Sequence, residues 1–111
     1  MDEANAGSSP RRSTIPNIVS RPIIFRIHAV QRMFERRITP KNVRAVLQAG
    51  EMIEDYSEDM PAPGGLMSSL PGQRPLHVVM AENRIENELI VITVYEPDPG
   101  QWKTGFRNRK E

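Results

Sequence analysis

The chain predicts an α+β fold, two N-terminal helices packed on a four-stranded antiparallel sheet, and three observations predict it. Two apolar, β-branched runs, residues 75–81 and 89–95, are joined by the polar link 82–88, which reads as an antiparallel hairpin. Upstream, Ile27, Val30, Phe34 and Ile38 recur at helical spacing, and Val43, Val46 and Leu47 repeat that spacing after a Thr39-Pro40 start. Between helices and hairpin, prolines and glycines punctuate two shorter runs. Helix, helix, then four strands is a segregated α+β order.

The composition sets bounds. At 111 residues, one domain is expected. Without cysteine there is no disulfide framework and no thiolate chemistry, and two histidines cannot build a histidine-only metal cage. No cofactor or metal is expected. No apolar run reaches the ~18–20 residues needed to cross a membrane, and the N-terminus lacks the basic start and apolar core of a secretory signal, so the expected location is cytoplasmic. The net charge is only +1, yet arginines and lysines crowd the first half and the last few residues, while acids gather in the middle. That asymmetry permits a basic face for nucleic acid or an acidic partner.

Residues 1–21, with Gly7, Ser8, Ser9, Pro10 and Pro16 and no apolar periodicity, predict a flexible tail, and 22–111 a single domain. Helix one is expected from about Phe25 to Arg37. Ile27, Val30, Phe34 and Ile38 form its apolar face, and His28, Arg32, Glu35 and Arg36 a charged stripe on the other side. Thr39 is an N-cap, Pro40 suits the first helical position and Gly50 a stop, so helix two runs from about Pro40 to Ala49. Residues 51–56 alternate like an edge strand, with Met52, Glu54 and Tyr56 on one face. Residues 57–65 read as a loop, 66–70 as a weak strand and Pro71-Gly72 as a turn. The second hairpin run is nearly continuously apolar and therefore reads as a central strand. Pairing Glu82 near Glu88 sets His77 opposite Thr93 and diagonal to Tyr95. Pro97 and Pro99 end the last strand. Residues 101–111 form a basic tail whose Trp102 and Phe106 suggest docking.

Four groups of residues invite chemistry. His77 sits inside a strand, where an imidazole able to pass a proton near pH 7 is unusual; the ordinary alternative is a sheet histidine held by one hydrogen bond. His28, Arg32 and Arg36, spaced i, i+4, i+8, align cationic groups suited to phosphate or carboxylate, or else form a solvated helix face. Tyr95 shares a sheet face with His77 in the expected register, and a one-residue slip would separate them. Trp102 with Arg107, Arg109 and Lys110 combines stacking with cations, as single-stranded nucleic-acid binding does, or forms a hydrophobic clamp with a solubilising end. No glycine-rich phosphate loop, nucleophile elbow or paired catalytic carboxylate is present.

The same residues, in order, carry a family resemblance. His28-Ala29-Val30-Gln31-Arg32-Met33, Glu35-Arg36, Ile38-Thr39-Pro40, Gly50-Glu51 with Ile53-Glu54 and Tyr56, Pro75-Leu76-His77-Val78-Val79, Ile92-Thr93-Val94-Tyr95-Glu96-Pro97, Trp102 and Arg109-Lys110 together resemble the bacterial domain of unknown function 4258. That family is similar to the RelE-like and MqsR-like toxins of toxin–antitoxin pairs, whose fold is helices on a small antiparallel sheet. The resemblance implies metal-independent RNA cleavage by attack of a ribose 2′-hydroxyl on the adjacent phosphate, with a base, an acid and cations for the developing charge. On that reading His77, Tyr95 and His28 are the catalytic candidates, and Arg32, Arg36, Trp102, Arg109 and Lys110 hold the substrate. RNA or the ribosome, a zinc-ribbon antitoxin and a second copy of the chain are the partners to consider; no membrane is expected. The alternative is a non-catalytic binding module of the same fold, contacting RNA or a partner protein. Convergence of His77, Tyr95 and the His28–Arg32 stripe on one cleft distinguishes the two.

Overall fold

The computed structural model describes residues 21–56, 63–70 and 74–110, and the element order is β1 (Ile23–Phe25), α1 (Ile27–Arg36), α2 (Pro40–Ala49), β2 (Glu51–Asp55), β3 (Gly64–Ser69), β4 (Leu76–Asn83) and β5 (Glu88–Tyr95). The tail expected over residues 1–21 lies, apart from Arg21, outside the described residues, as do the 57–62 part of the expected loop and the Pro71-Gly72 turn. Among the described residues, no helix is long and apolar enough to cross a membrane.

The sheet corrects the expected fold. It has five strands in the order β1-β5-β4-β3-β2 and is mixed, not four-stranded and antiparallel. The added strand, β1, pairs parallel with β5, Ile23 to Leu89 and Phe25 to Val91. Hydrogen bonds from the Leu89 N–H to the Pro22 carbonyl and from the Arg26 N–H to the Val91 carbonyl, both 3.0 Å, anchor its ends. A three-residue strand shows too little alternation to stand out, and its apolar residues merge with the helical pattern that follows. With β1 on one side and β4 on the other, β5 is an inner strand, which its continuous apolar run requires.

Both helices lie on one face of the sheet. Ala29 and Met33 of α1, Ile38, and Val43, Val46 and Leu47 of α2 pack with Met67, Leu76, Val78, Met80, Leu89, Val91 and Val94. Here too the expectation is corrected. Ile27, Val30 and Phe34, assigned to the buried face of α1, are 76%, 50% and 87% exposed, and the narrower pair Ala29 and Met33 faces the sheet instead. The helix carries two apolar lines, 27/30/34 and 29/33, and periodicity cannot choose between them. The chain's entry from β1 and its exit through Arg37, in the left-handed region at φ 56°, fix the rotation.

The α2 boundaries follow the sequence signals. The Asn42 N–H donates to Thr39 Oγ1 at 3.0 Å, and the Thr39 N–H to Asn42 Oδ1 at 3.1 Å, a reciprocal cap. Gly50 closes α2 because a Cβ there would collide with the Val46 carbonyl oxygen and lie 2.8 Å from that of Ser68.

Candidate functional site

The face of the sheet away from the helices holds a polar cluster, and two β-bulges assemble it. Leu76 and Val78 enter the helix-side core, so alternation turns His77 to the other face. In the β4–β5 ladder, Asn83 pairs with Glu88 and Met80 with Val91, but beyond a bulge Val79 pairs with Thr93 and His77 with Tyr95. The turn shifts the expected pairing by one residue and the bulge by one more. The two shifts restore parity, so His77 and Tyr95 are directly cross-strand rather than diagonal. In β2, a shift between Met52 and Glu54 leaves Met52 on the helix side and pairs Glu54 with Leu66 on the other face. The expected common face of Met52, Glu54 and Tyr56 is thereby broken, and Glu54 joins His77.

The C-terminal segment closes over this face. The Trp102 N–H bonds the Asp98 carbonyl at 3.1 Å, the Lys103 N–H the Asn108 carbonyl at 2.8 Å, and the Lys110 N–H the Gln101 carbonyl at 2.8 Å. Trp102 and Arg109 form an antiparallel bridge at its base. Trp102 is buried, its ring perpendicular to that of His77 at 4.5 Å between centroids, while the Arg109 guanidinium lies 4.6 Å from the Trp102 ring centre. Arg109 also grips Glu54 with two nitrogens, at 2.7 and 3.1 Å, and the Tyr56 hydroxyl donates to the same carboxylate.

His77 is sealed, with 0% of its surface exposed. Its Nε2 lies 2.7 Å from the Phe106 carbonyl oxygen, which can only accept, so Nε2 carries the hydrogen. Nδ1 of the neutral ring then accepts from the Tyr95 hydroxyl at 3.3 Å. Burial holds the His77 pKa below its ordinary value against the opposing pull of the Phe106 carbonyl and Glu54. Burial pushes the Tyr95 phenol up, and burial together with Glu54 pushes Tyr56 up to about 12. The Arg109 hydrogen bonds hold Glu54 below its usual range. At neutral pH the cluster is therefore a neutral imidazole bonded to the neutral Tyr95 phenol, with the carboxylate–guanidinium pair of Glu54 and Arg109 at its rim and the neutral Tyr56 phenol on that pair. Beside it, a shallow groove of about 230 Å³ is lined by Glu51, Ser68, Ser69, Gly105 and Arg107, and its two charges pair with each other.

Of the expected site residues, the structure brings together His77, Tyr95, Trp102 and Arg109. Lys110 is exposed at the end of the same segment. His28, Arg32 and Arg36 stand exposed on α1, which packs on the opposite face of the sheet, and Arg32 meets Glu35 at 3.5 Å. Sequence reasoning missed Glu54, Tyr56 and the Phe106 carbonyl. The i, i+2 spacing of Glu54 and Tyr56 was visible, but the bulge that redirects them was not. The outer end of α1 is held by Arg74, whose guanidinium donates to the Arg36 and Arg37 carbonyls and pairs with Glu96.

Comparison with known proteins adds one match. The family model described as a domain of unknown function (DUF4258) matches residues 25–96, about two-thirds of the chain. It spans both helices and strands β2 to β5, and stops short of Trp102 and Arg109. No curated protein and no solved structure matches.

Proposed function

The chain belongs to the DUF4258 family, and from that premise we propose that it is a non-catalytic binding module that presents its helix layer to an anionic partner. One observation carries this reading. Between residues 22 and 50, six arginines and lysines face a single acid, Glu35, and all six cations are exposed. Such a concentration of like charge has a self-repulsion cost and raises the local concentration of opposite charge. A partner that neutralises it recovers that cost.

The competing reading is RNA cleavage of the toxin type, and it rests on the sequence resemblance. It needs a proton-transferring group within reach of substrate together with phosphate-binding cations. His77 has both ring nitrogens engaged beneath Trp102 and Phe106, and the Arg32 stripe lies on the other side of the sheet. Cleavage through these residues would require residues 102–109 to lift away. Two measurements on the purified full chain decide. Single-stranded RNA incubated with it should remain intact, and Arg32→Glu/Arg36→Glu should elute from a heparin column at distinctly lower salt than the wild type. RNA cleavage that falls by about 10²-fold in His77→Gln, the usual scale for one general acid or base, would replace the binding-module reading.

A further inference from the structure

We propose that residues 101–110 form a detachable strap, which acid releases from the sheet while the helices and the strands stay folded. The bonding pattern points to a separable unit. The backbone hydrogen bonds described for this segment all end within residues 98–110: Gln101 and Trp102 donate to the Asp98 carbonyl, Lys103 to Asn108, Phe106 to Lys103 and Lys110 to Gln101. Among the described residues, no backbone ladder joins the segment to the sheet. The bonds that tie it down each involve a side chain. Arg107 reaches Glu51, Arg109 reaches Glu54, and His77 Nε2 donates to the Phe106 carbonyl. Trp102 lies outside the helix-side core, so its departure leaves that core whole.

These ties are easily undone. The Arg107 and Arg109 side chains are each 56% exposed, and ion pairs open to water contribute little. Phe106 sits in the left-handed region at φ 58°, next to Gly105 at 91°. A bulky residue held there is strained, and release lets it relax. His77, sealed beneath the strap, is the group on which acid acts. The titratable and charged groups around it are Tyr95 from β5, Glu54 from β2 and Arg109 from the strap; Ser68 of β3 and Trp102 bring no charge. Glu54 favours an imidazolium, Arg109 opposes it, and the two are paired with each other. Burial therefore decides, and it disfavours the imidazolium while the strap is in place. With the strap away, the ring meets water and titrates near its ordinary value of about 6.5. The open form thus binds the proton more readily. Below about pH 6.5 acid shifts the equilibrium toward it, by up to about tenfold per pH unit. Release unpairs Arg107 and Arg109 and bares Trp102, His77 and Tyr95.

The test is amide hydrogen exchange on the full chain, followed by mass spectrometry and corrected for the intrinsic pH dependence of exchange. Between pH 7.5 and 5.5 the opening constant of the segment 101–110 should rise at least threefold and up to about tenfold, while β4 and β5 keep their protection. Trp102 is the sole tryptophan, so acrylamide quenching of its fluorescence should rise in parallel. His77→Gln should remove the pH dependence, and His28→Gln, at the exposed histidine of α1, should keep it. Glu54→Gln should raise opening at every pH and leave the slope in place. In the wild type the rise should begin near about pH 6.5, the range of a free imidazole, and not near about 4.3, that of a carboxylate; this onset decides the trigger even where His77→Gln does not fold. Unchanged strap protection, equal loss of protection in β4 and β5, an onset in the carboxylate range, a slope that survives in His77→Gln or one that vanishes in His28→Gln each overturn the proposal.

Discussion

His77 shows how one residue can look catalytic and be occupied with structure. Its carbonyl partner, its phenol partner and the perpendicular indole leave the ring no free nitrogen and no exposed surface. Protonating it would bury a charge, and that has a consequence for stability. Because the folded pKa is lowered, the unfolded chain binds the proton more readily, and stability falls as pH drops below about 6.5, by at most about 1.4 kcal/mol per pH unit. Glu54, also lowered, acts in a separate window: its contribution is present above the ordinary carboxylate pKa and is lost only on further acidification. Urea melts between pH 7 and pH 5 should therefore show a decline that His77→Gln abolishes. A decline that survives in the variant would assign the pH dependence elsewhere.

At the scale of elements, α1 separates what the sequence could tell from what it could not. Its existence and length were legible, and so were the Thr39 cap, the Gly50 stop, the inner position of β5 and the docking of Trp102. Its rotation was not, because Ala29 and Met33 are no more apolar than the line beside them; only the packing partners on β5 select them. The expectation that Phe34 anchors the core reverses accordingly. Met33→Ala should cost about 2–5 kcal/mol, the range for truncating a buried methionine, whereas Phe34→Ala should leave thermal unfolding within about 1 °C of wild type. The opposite ranking would mean that α1 is turned the other way. The same limit hid β1, too short to announce itself, and the bulges at the β2 and β5 positions, which no alternation pattern can display because they break it. Half of the polar cluster was readable for this reason. His77 and Tyr95 were named, with the wrong register but the right face, while Glu54 came to the face only through a bulge.

For the whole molecule, the net charge of +1 conceals an uneven distribution of charge along the chain. Residues 22–50 carry a net +5, and residues 51–111 carry six cations against eleven acids, a net −5. A partner should feel that field before contact. Stopped-flow association with a synthetic acidic peptide should slow at least tenfold between about 0.01 and 0.15 M salt, as the Debye length contracts from about 30 to 8 Å. Dissociation should change little; a salt effect confined to dissociation would place the charges in the contact rather than in the approach. The parallel pairing of β1 with β5 bears on how the molecule comes to exist. Residues 23–25 are made before the helices and the four other strands described, yet among the described residues their ladder partner is the last strand. At roughly 5–20 residues per second of synthesis, the first strand waits several seconds for β5 to leave the ribosome. Until then its backbone edge and the apolar underside of α1 have nothing to close on. The sheet is completed from its final strand backwards, so a nascent chain halted before residue 89 would hold a β2–β4 meander with an unsatisfied N-terminal strand, a natural place for a chaperone to bind.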